Sequence, residues 1–443
     1  MKTELSYYEV CPKVLLAKDC GAITIRPLGH HAAFKPETPY TITVIPMNET
    51  TRNDKAQAYP VYKANSADGS LSFSHQLGAE GQYALRIVPQ IDTMPRGFPL
   101  EVRVYAVEED LYRLRPYRGD LHAHTCYSDG KEAPAIVAAN YRKAGFDFLA
   151  ITDHERYEPS IEAIDAYRDI PIDIRLFPGE EVHPQGNHTH YIHIGGISSV
   201  NKLMQSDWAR YHREVAELAA GLNIPESLNR EEFASCQWVC REIHKAGGLA
   251  IMVHPHWIHD HAYHIREDMA AYMLKATCFD AFELIGGQTL QENIPQVALW
   301  RQLQAEGNTI PILGCSDSHG TVNSPWFNTA KSIVFAEYAG RSAIMDAIRQ
   351  NRSVAQEQYT FGPYGQEPLP RMYGEYRYVM FALFLEEEYF PIHDELCYEE
   401  GRLMKDYICG APNAAGLLTT LHGRCEALMK RYWEQAKKPA ALY

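Results

Sequence analysis

Five short stretches of this sequence bring imidazoles and carboxylates together. The first is Asp120-Leu121-His122-Ala123-His124, followed by Ser128-Asp129-Gly130. The second is Ile151-Thr152-Asp153-His154-Glu155. The third runs from Pro178-Gly179-Glu180-Glu181-Val182 to Gly186-Asn187-His188-Thr189-His190-Tyr191-Ile192-His193. Met252-Val253-His254-Pro255 is the fourth, and Gly314-Cys315-Ser316-Asp317-Ser318-His319 is the fifth. On an extended chain residues i and i+2 share a face, so His122 and His124 point one way, as do Asp317 and His319. Such pairs suit two ligands of one metal ion. Each stretch alone says little, since an Asp-His pair can equally cap a helix. Their weight lies in co-occurrence. Many imidazoles and carboxylates cannot share a cleft unless they are paired or coordinated. Mixed His, Asp and Glu donors without thiolate suit zinc, manganese or iron, and do not separate them.

These groups need a scaffold, and each follows an apolar run. FDFLAITDH, IRLFPGEEV, LAIMVHPH, FDAFELIGG, TIPILGCSDSHG and KSIVFAEY read as strands, with helical stretches between them such as EEFASCQWVCREIHKAG. Strands alternating with helices imply a mainly parallel sheet or barrel, whose active site is built at the carboxyl ends of the strands. Residues 1–113 differ: alternating runs such as Tyr40-Thr41-Ile42-Thr43-Val44-Ile45 between Pro, Gly, Asn and Asp predict an antiparallel β-sandwich domain. Residues 356–443 open on a Gly/Pro-rich linker, TFGPYGQEPLPRMYG, and continue as a helical C-terminal extension. The expected layout is thus a β domain at 1–113, an α/β domain at 114–355 and helices from 356 onward.

The chain has 443 residues, 46% of them hydrophobic and 22% charged, which excludes a disordered or collagen-like protein. With 42 basic and 56 acidic residues its net charge is −14, so it has no general attraction to nucleic acid or anionic membranes. No apolar run approaches the roughly 20 residues of a membrane span. The first residues lack the pattern of a secretory signal, so a cytoplasmic location is expected. The 10 cysteines form no CxxC pair and are expected to be reduced thiols.

The ordered series DLHAHTCYSDG, ITDHE, GEEV…GNHTHYIHIGG, MVHP and GCSDSHG resembles the PHP superfamily of metal-dependent hydrolases (polymerase and histidinol phosphatase). Within it, the chain is most similar to members with an N-terminal β domain, near the carbaryl-hydrolase-like metallohydrolases. The resemblance covers residues from about 114 to 355. It implies a distorted (βα)7 TIM-like barrel holding two or three divalent ions, zinc, manganese or iron. Carried over by position, the ligands are His122, His124, Asp129, His154, Glu181, His190, His254, Asp317 and His319. Glu181 is preferred to Glu180 because related motifs place the acid two residues after Gly. His193 becomes a residue behind the ligands or facing substrate, and His188 is peripheral. Asp120 and Asp153 are expected to orient ligands, and Glu283 either to support them or to meet substrate. Phosphatase members often carry an Arg soon after the His-Pro motif, whereas here the first Arg is Arg266. Phosphate binding would then fall to His256, Arg156, Lys131 or the ions.

The expected activity is hydrolysis of a small phosphate ester by a metal-bridging hydroxide. Asp317 is essential in that scheme, and His193 or His256 protonates the leaving group. The alternative is hydrolysis of a carboxylic ester, carbamate or amide at the same centre, and a third reading is a binding protein stabilised by metal. A small phosphorylated substrate and a homodimer are the expected partners.

Overall fold

The computed structural model describes residues 3–29, 32–48, 59–91, 98–276, 278–358 and 370–434. The chain divides into two compact units, one of residues up to 115 with 380–396 and 423 onward, the other of 116–379 with 397–422. The helical segment after 356 is therefore no third body: its parts belong to both units. Most of its expected linker lies outside the described residues, but Arg371–Tyr373 is a strand antiparallel to Ser353–Glu357. Among the described residues no helix is long and apolar enough to cross a membrane. The cysteines are free thiols.

In the first unit, eight strands form one hydrogen-bonded series rather than two separate sheets. Alternation drives it: Tyr40, Ile42 and Val44 are buried, while the threonines between them are not. Ile23, Ile25, Leu71 and Phe73 from one half of the series share a core with Ile42, Val44, Ile87 and Val104 from the other. A sheet whose two halves bury one another must fold over on itself, which achieves what a sandwich does. The helix Arg424–Trp433 belongs to this unit. The amide of Lys13 donates to the Tyr432 carbonyl (2.8 Å), and the buried Lys13 ammonium pairs with Glu388.

The second unit is mixed α/β. One sheet holds Arg115–Asp120, Phe148–Ala150, Arg175–Phe177, Ala330–Ala336, Ser353–Glu357 and Arg371–Tyr373. The other holds Gly179–Val182, Tyr191–Ile194, Leu249–Met252, Ala281–Ile285 and Ile312–Gly314. Two isolated parallel bridges, His154 to Glu181 and Ala123 to Ser318, join the strand ends of the two sheets. The run IRLFPGEEV is split at Pro178, and its halves serve different sheets. Proline has no amide hydrogen to continue a ladder, so the break falls where the chain changes partners.

The pairing is less parallel than the sequence predicts. Tyr191–Ile194 runs antiparallel to both Gly179–Val182 and Leu249–Met252. The loop 183–190 contains no helix, and without a long crossover consecutive strands pair antiparallel. Elsewhere local signals hold. Asn229 caps the helix Arg230–Lys245, accepting from the amides of Glu231 (3.0 Å) and Glu232 (3.3 Å). That helix stops before Gly247, whose φ of +77° suits a left-handed exit.

Candidate metal centre

Strand alternation decides which acid faces the cluster. Glu181 pairs across the sheet with Ile192, and Glu180 with His193, so Glu180 and His193 occupy the opposite face from Glu181. Glu181 is wholly buried and sits at the hub. Its Oε2 lies 2.6 Å from His154 Nδ1 and 3.6 Å from Nε2 of both His122 and His124. Its Oε1 lies 2.8 Å from His190 Nδ1, 3.3 Å from His254 Nε2 and 3.5 Å from His183 Nε2.

Asp317 closes the other side. Its Oδ1 is 3.0 Å from His124 Nε2 and 3.2 Å from His122 Nε2. Asp129 brings in the outer pair, with Oδ2 3.1 Å from His319 Nε2 and 3.4 Å from His154 Nε2. All nine sequence-selected ligands thus converge, from six strand ends and the loops behind them. Among the sets whose donor atoms lie mutually within 4.8 Å are His124, Asp129, His154 and His319; His122, His124 and Asp317; and His190, His254 and His264.

The charges are matched. Burial would push the Glu181 carboxyl up, but the imidazoles of His190, His154 and His183 hold it well below the usual carboxylate range. Burial likewise disfavours a charged His154, yet Glu181 and Asp129 raise it to about 10. Burial lowers His190 to about 4 despite Glu181. His254 and Asp317 adopt left-handed backbone, with φ of +27° and +48°. A non-glycine residue there costs on the order of 1–3 kcal/mol and persists only where the surroundings fix it.

The supports are equally specific. Glu283, buried, places Oε2 2.8 Å from His122 Nδ1. Asp153 accepts from the Thr125 amide (2.8 Å), Thr125 Oγ1 (2.7 Å) and Ser128 Oγ (2.6 Å), fixing the turn that carries Asp129. Asp120 orients backbone rather than a ring: Oδ1 accepts from the amides of His122 and Ser316, each at 3.1 Å, and burial raises it to about 6. Gln288 Nε2 donates to Asp317 Oδ2 at 3.2 Å.

Two expected catalytic residues stand apart. His193 Nδ1 is 2.9 Å from Glu180 Oε1, and that carboxylate also accepts from Ser199 Oγ (2.6 Å) and Asn201 Nδ2 (3.0 Å). The His193 ring is packed between Gly196 and Gly248, where a Cβ would come within 2.1 and 2.5 Å of it. His256 is buried edge-on to Tyr263, with ring centroids 5.0 Å apart. Of the expected phosphate cations, Arg156 is exposed; Arg266, the first Arg after the His-Pro motif, is tied to Asp268 and the Ser227 carbonyl. The Lys131 stem reaches Gly320, beside His319.

The sequence reading passed over His183, His264, Gln288 and Trp326. His183 stacks on His190 (centroids 3.8 Å) and places Nε2 3.0 Å from His154 Nδ1. Trp326 lies edge-on to His319 at 5.5 Å. His183 comes directly after the strand Gly179–Val182, and could have been found by extending that motif one residue.

Ordered motifs and convergent side chains agree on one likeness. The chain resembles the PHP metal-dependent phosphoesterases. No family model matches the sequence. DNA polymerase/3'-5' exonuclease PolX of Bacillus subtilis is 36% identical over 75 residues, which span 17% of this chain and 13% of PolX. A solved two-domain protein from Bacteroides vulgatus, described as containing a predicted PHP-like metal-dependent phosphoesterase, is 15% identical with a TM-score of 0.39. That match covers 55% of this chain and 65% of the other. An amidohydrolase from Chromobacterium violaceum is 20% identical with a TM-score of 0.32, over 46% of this chain and 87% of its own. Beyond the positions shared with the PHP pattern, this PHP-like centre carries two further imidazoles, His183 and His264.

Proposed function

We propose that the chain is a metal-dependent hydrolase of small phosphate esters, built on a distorted (βα)7 barrel. The ring of strands joined through the His154–Glu181 and Ala123–Ser318 bridges supports the barrel. The observation that carries the function is a set of orphaned buried polar atoms. His122 Nε2, Glu181 Oε2 and His190 Nδ1 are sealed from water and make no well-formed hydrogen bond, although Asp317 lies 3.2 Å from the first, His154 2.6 Å from the second and Glu181 2.8 Å from the third. Leaving such groups unpaired costs roughly 1–3 kcal/mol each, and divalent cations answer the deficit. The donor set fits zinc, manganese or iron.

Asp317, His122, His124 and Glu181 would hold one ion, Asp129, His154 and His319 a second, and Glu181, His190 and His254 a third. Bound there, such ions supply Lewis acidity, lowering the pKa of water from about 15.7 toward 7 and polarising a phosphoryl oxygen. The protein does the positioning. Glu283 fixes the His122 ring, and Gln288 holds one oxygen of Asp317 so that the other faces the imidazoles. Lys131, on the rim beside Gly320, offers a cation to an anionic substrate. Trp326 walls the site next to His319 and limits what enters.

Hydrolysis of a carboxylic ester, carbamate or amide is the second reading, favoured by the engagement of Arg266 elsewhere. A panel of p-nitrophenyl phosphate, bis(p-nitrophenyl) phosphate and p-nitrophenyl acetate tests the choice, using protein stripped by chelator and reloaded with zinc or manganese. Turnover of phosphates that disappears on stripping and in Asp317→Ala is expected. Inert phosphates beside a turned-over acetate would transfer the assignment to the second reading.

A further inference from the structure

We infer that His264 is a direct ligand of the ion held by Glu181, His190 and His254, and that it completes a closed four-donor set there. The inference rests on the hydrolase reading above, and adds a residue outside the nine positions of the PHP-like pattern. Its basis is the hairpin after the His-Pro motif. Ile258–His259 pairs with Ala262–Tyr263, the amide of His264 donates to the Trp257 carbonyl (2.8 Å), and that of Ile265 to the Pro255 carbonyl (3.0 Å). These bonds fold the chain back on itself. The His264 ring arrives 4.4 Å from the His190 centroid and 5.4 Å from that of His254.

One nitrogen from each of His190, His254 and His264 lies within 4.8 Å of the others. His264 Nε2 is buried and has no hydrogen-bond partner. A core histidine would find an acceptor or turn that nitrogen toward water. The His264 ring instead packs against two other imidazoles, those of His190 and His254. These three crowded rings, with Glu181 Oε1 2.8 Å from His190 and 3.3 Å from His254, would offer a zinc ion four donors.

The consequence is a division of labour. Closed four-ligand sites are characteristically structural, whereas catalytic sites keep a position for water. With His264 engaged, the ion beneath the hairpin holds the loops together. Water activation then falls to the ions bound by Asp317 and by Asp129.

The test uses the full chain, stripped and reloaded with cobalt(II). Wild type, His264→Ala and His264→Cys are compared by visible absorption, metal content per chain and thermal melting. The wild type should show the strong d–d bands of a tetrahedral site. His264→Ala should lose their intensity and bind one ion at least about tenfold more weakly. His264→Cys should add near-ultraviolet thiolate-to-cobalt charge-transfer intensity beyond whatever the wild type shows through its own thiols, such as Cys236, Cys240 and Cys278. The cysteine variant thus reports even if the alanine variant folds poorly. Spectra and stoichiometry in both variants identical to wild type would overturn the assignment of His264 alone. A wild type that takes up no ion would overturn the hydrolase reading together with it.

Discussion

Glu283 Oε2 and His122 Nδ1 lie 2.8 Å apart, and both side chains are wholly sealed from solvent. Burial raises the Glu283 carboxyl, and the facing imidazole opposes the rise. The contact fixes which His122 nitrogen is left for a metal: Nε2, which faces Asp317. Partners of this kind are worth about 10–100-fold in metal affinity. Glu283→Gln should therefore weaken binding by roughly that factor, read by competition with a chromogenic chelator, while circular dichroism stays that of the wild type. Undiminished affinity would show that the ring is held by its ligand neighbours alone.

The residues of the imidazole–carboxylate cluster were legible because they fall in local patterns. His122 and His124 advertise a shared face by spacing alone; Asp317 and His319 were picked out by the same spacing, although the left-handed backbone at Asp317 takes them off an extended strand. The helix Arg230–Lys245 was legible from its amphipathic run and the glycines that close it. What escaped was non-local. The choice between Glu180 and Glu181 depends on cross-strand register, which the single chain left to analogy, and the same register turns His193 away. The antiparallel course of Tyr191–Ile194 follows from a loop without a helix, hidden in a run rich in histidine. His264 was invisible because it comes ten positions after His254 on a hairpin with no strong hydrophobic alternation.

Asp153 should matter to the turn more than to any ring. The Thr125 amide, Thr125 Oγ1 and Ser128 Oγ all donate to it, and that turn presents Asp129 to His154 and His319. Asp153→Ala leaves buried donors unsatisfied, at roughly 1–3 kcal/mol each. The expected result is a lower unfolding midpoint in urea together with weaker uptake of one ion, measured by metal analysis at limiting zinc. Full occupancy at wild-type affinity would mean that Asp129 reaches its place without the turn.

His193 gives the opposite pattern. A proton donor in the reaction is worth about 100–10,000-fold in rate. The buried pair with Glu180, on the face away from Glu181, predicts a structural role instead. His193→Ala should lower stability by about 1–3 kcal/mol through lost packing and a lost charge-assisted hydrogen bond, with kcat changed only a few-fold. A hundredfold fall in kcat with unchanged stability would restore the catalytic role that the sequence suggested.

The last prediction concerns the wall behind the first motif. Arg142 is wholly buried, and its Nε donates to Glu400 Oε2 (2.7 Å) while Nη1 reaches Asp147 Oδ1 (3.1 Å) and the Phe146 carbonyl (3.0 Å). The helix Phe390–Ile408 can bring Glu400 in because Gly401 has no side chain: a Cβ there would lie 2.2 Å from the Lys143 amide nitrogen and 2.6 Å from the Ala139 carbonyl. Burial raises the Glu400 carboxyl and Arg142 opposes the rise. Removing one member of a buried pair strands the other, at about 3–5 kcal/mol, whereas replacing both with apolar groups is often neutral. Arg142→Leu should therefore lose about that much in urea unfolding, and the double replacement Arg142→Leu/Glu400→Leu should recover part of it. Because Asp147 would still lack its guanidinium, the recovery should be incomplete. A double variant no more stable than the single one would place the energy in the contact with Asp147 rather than with Glu400.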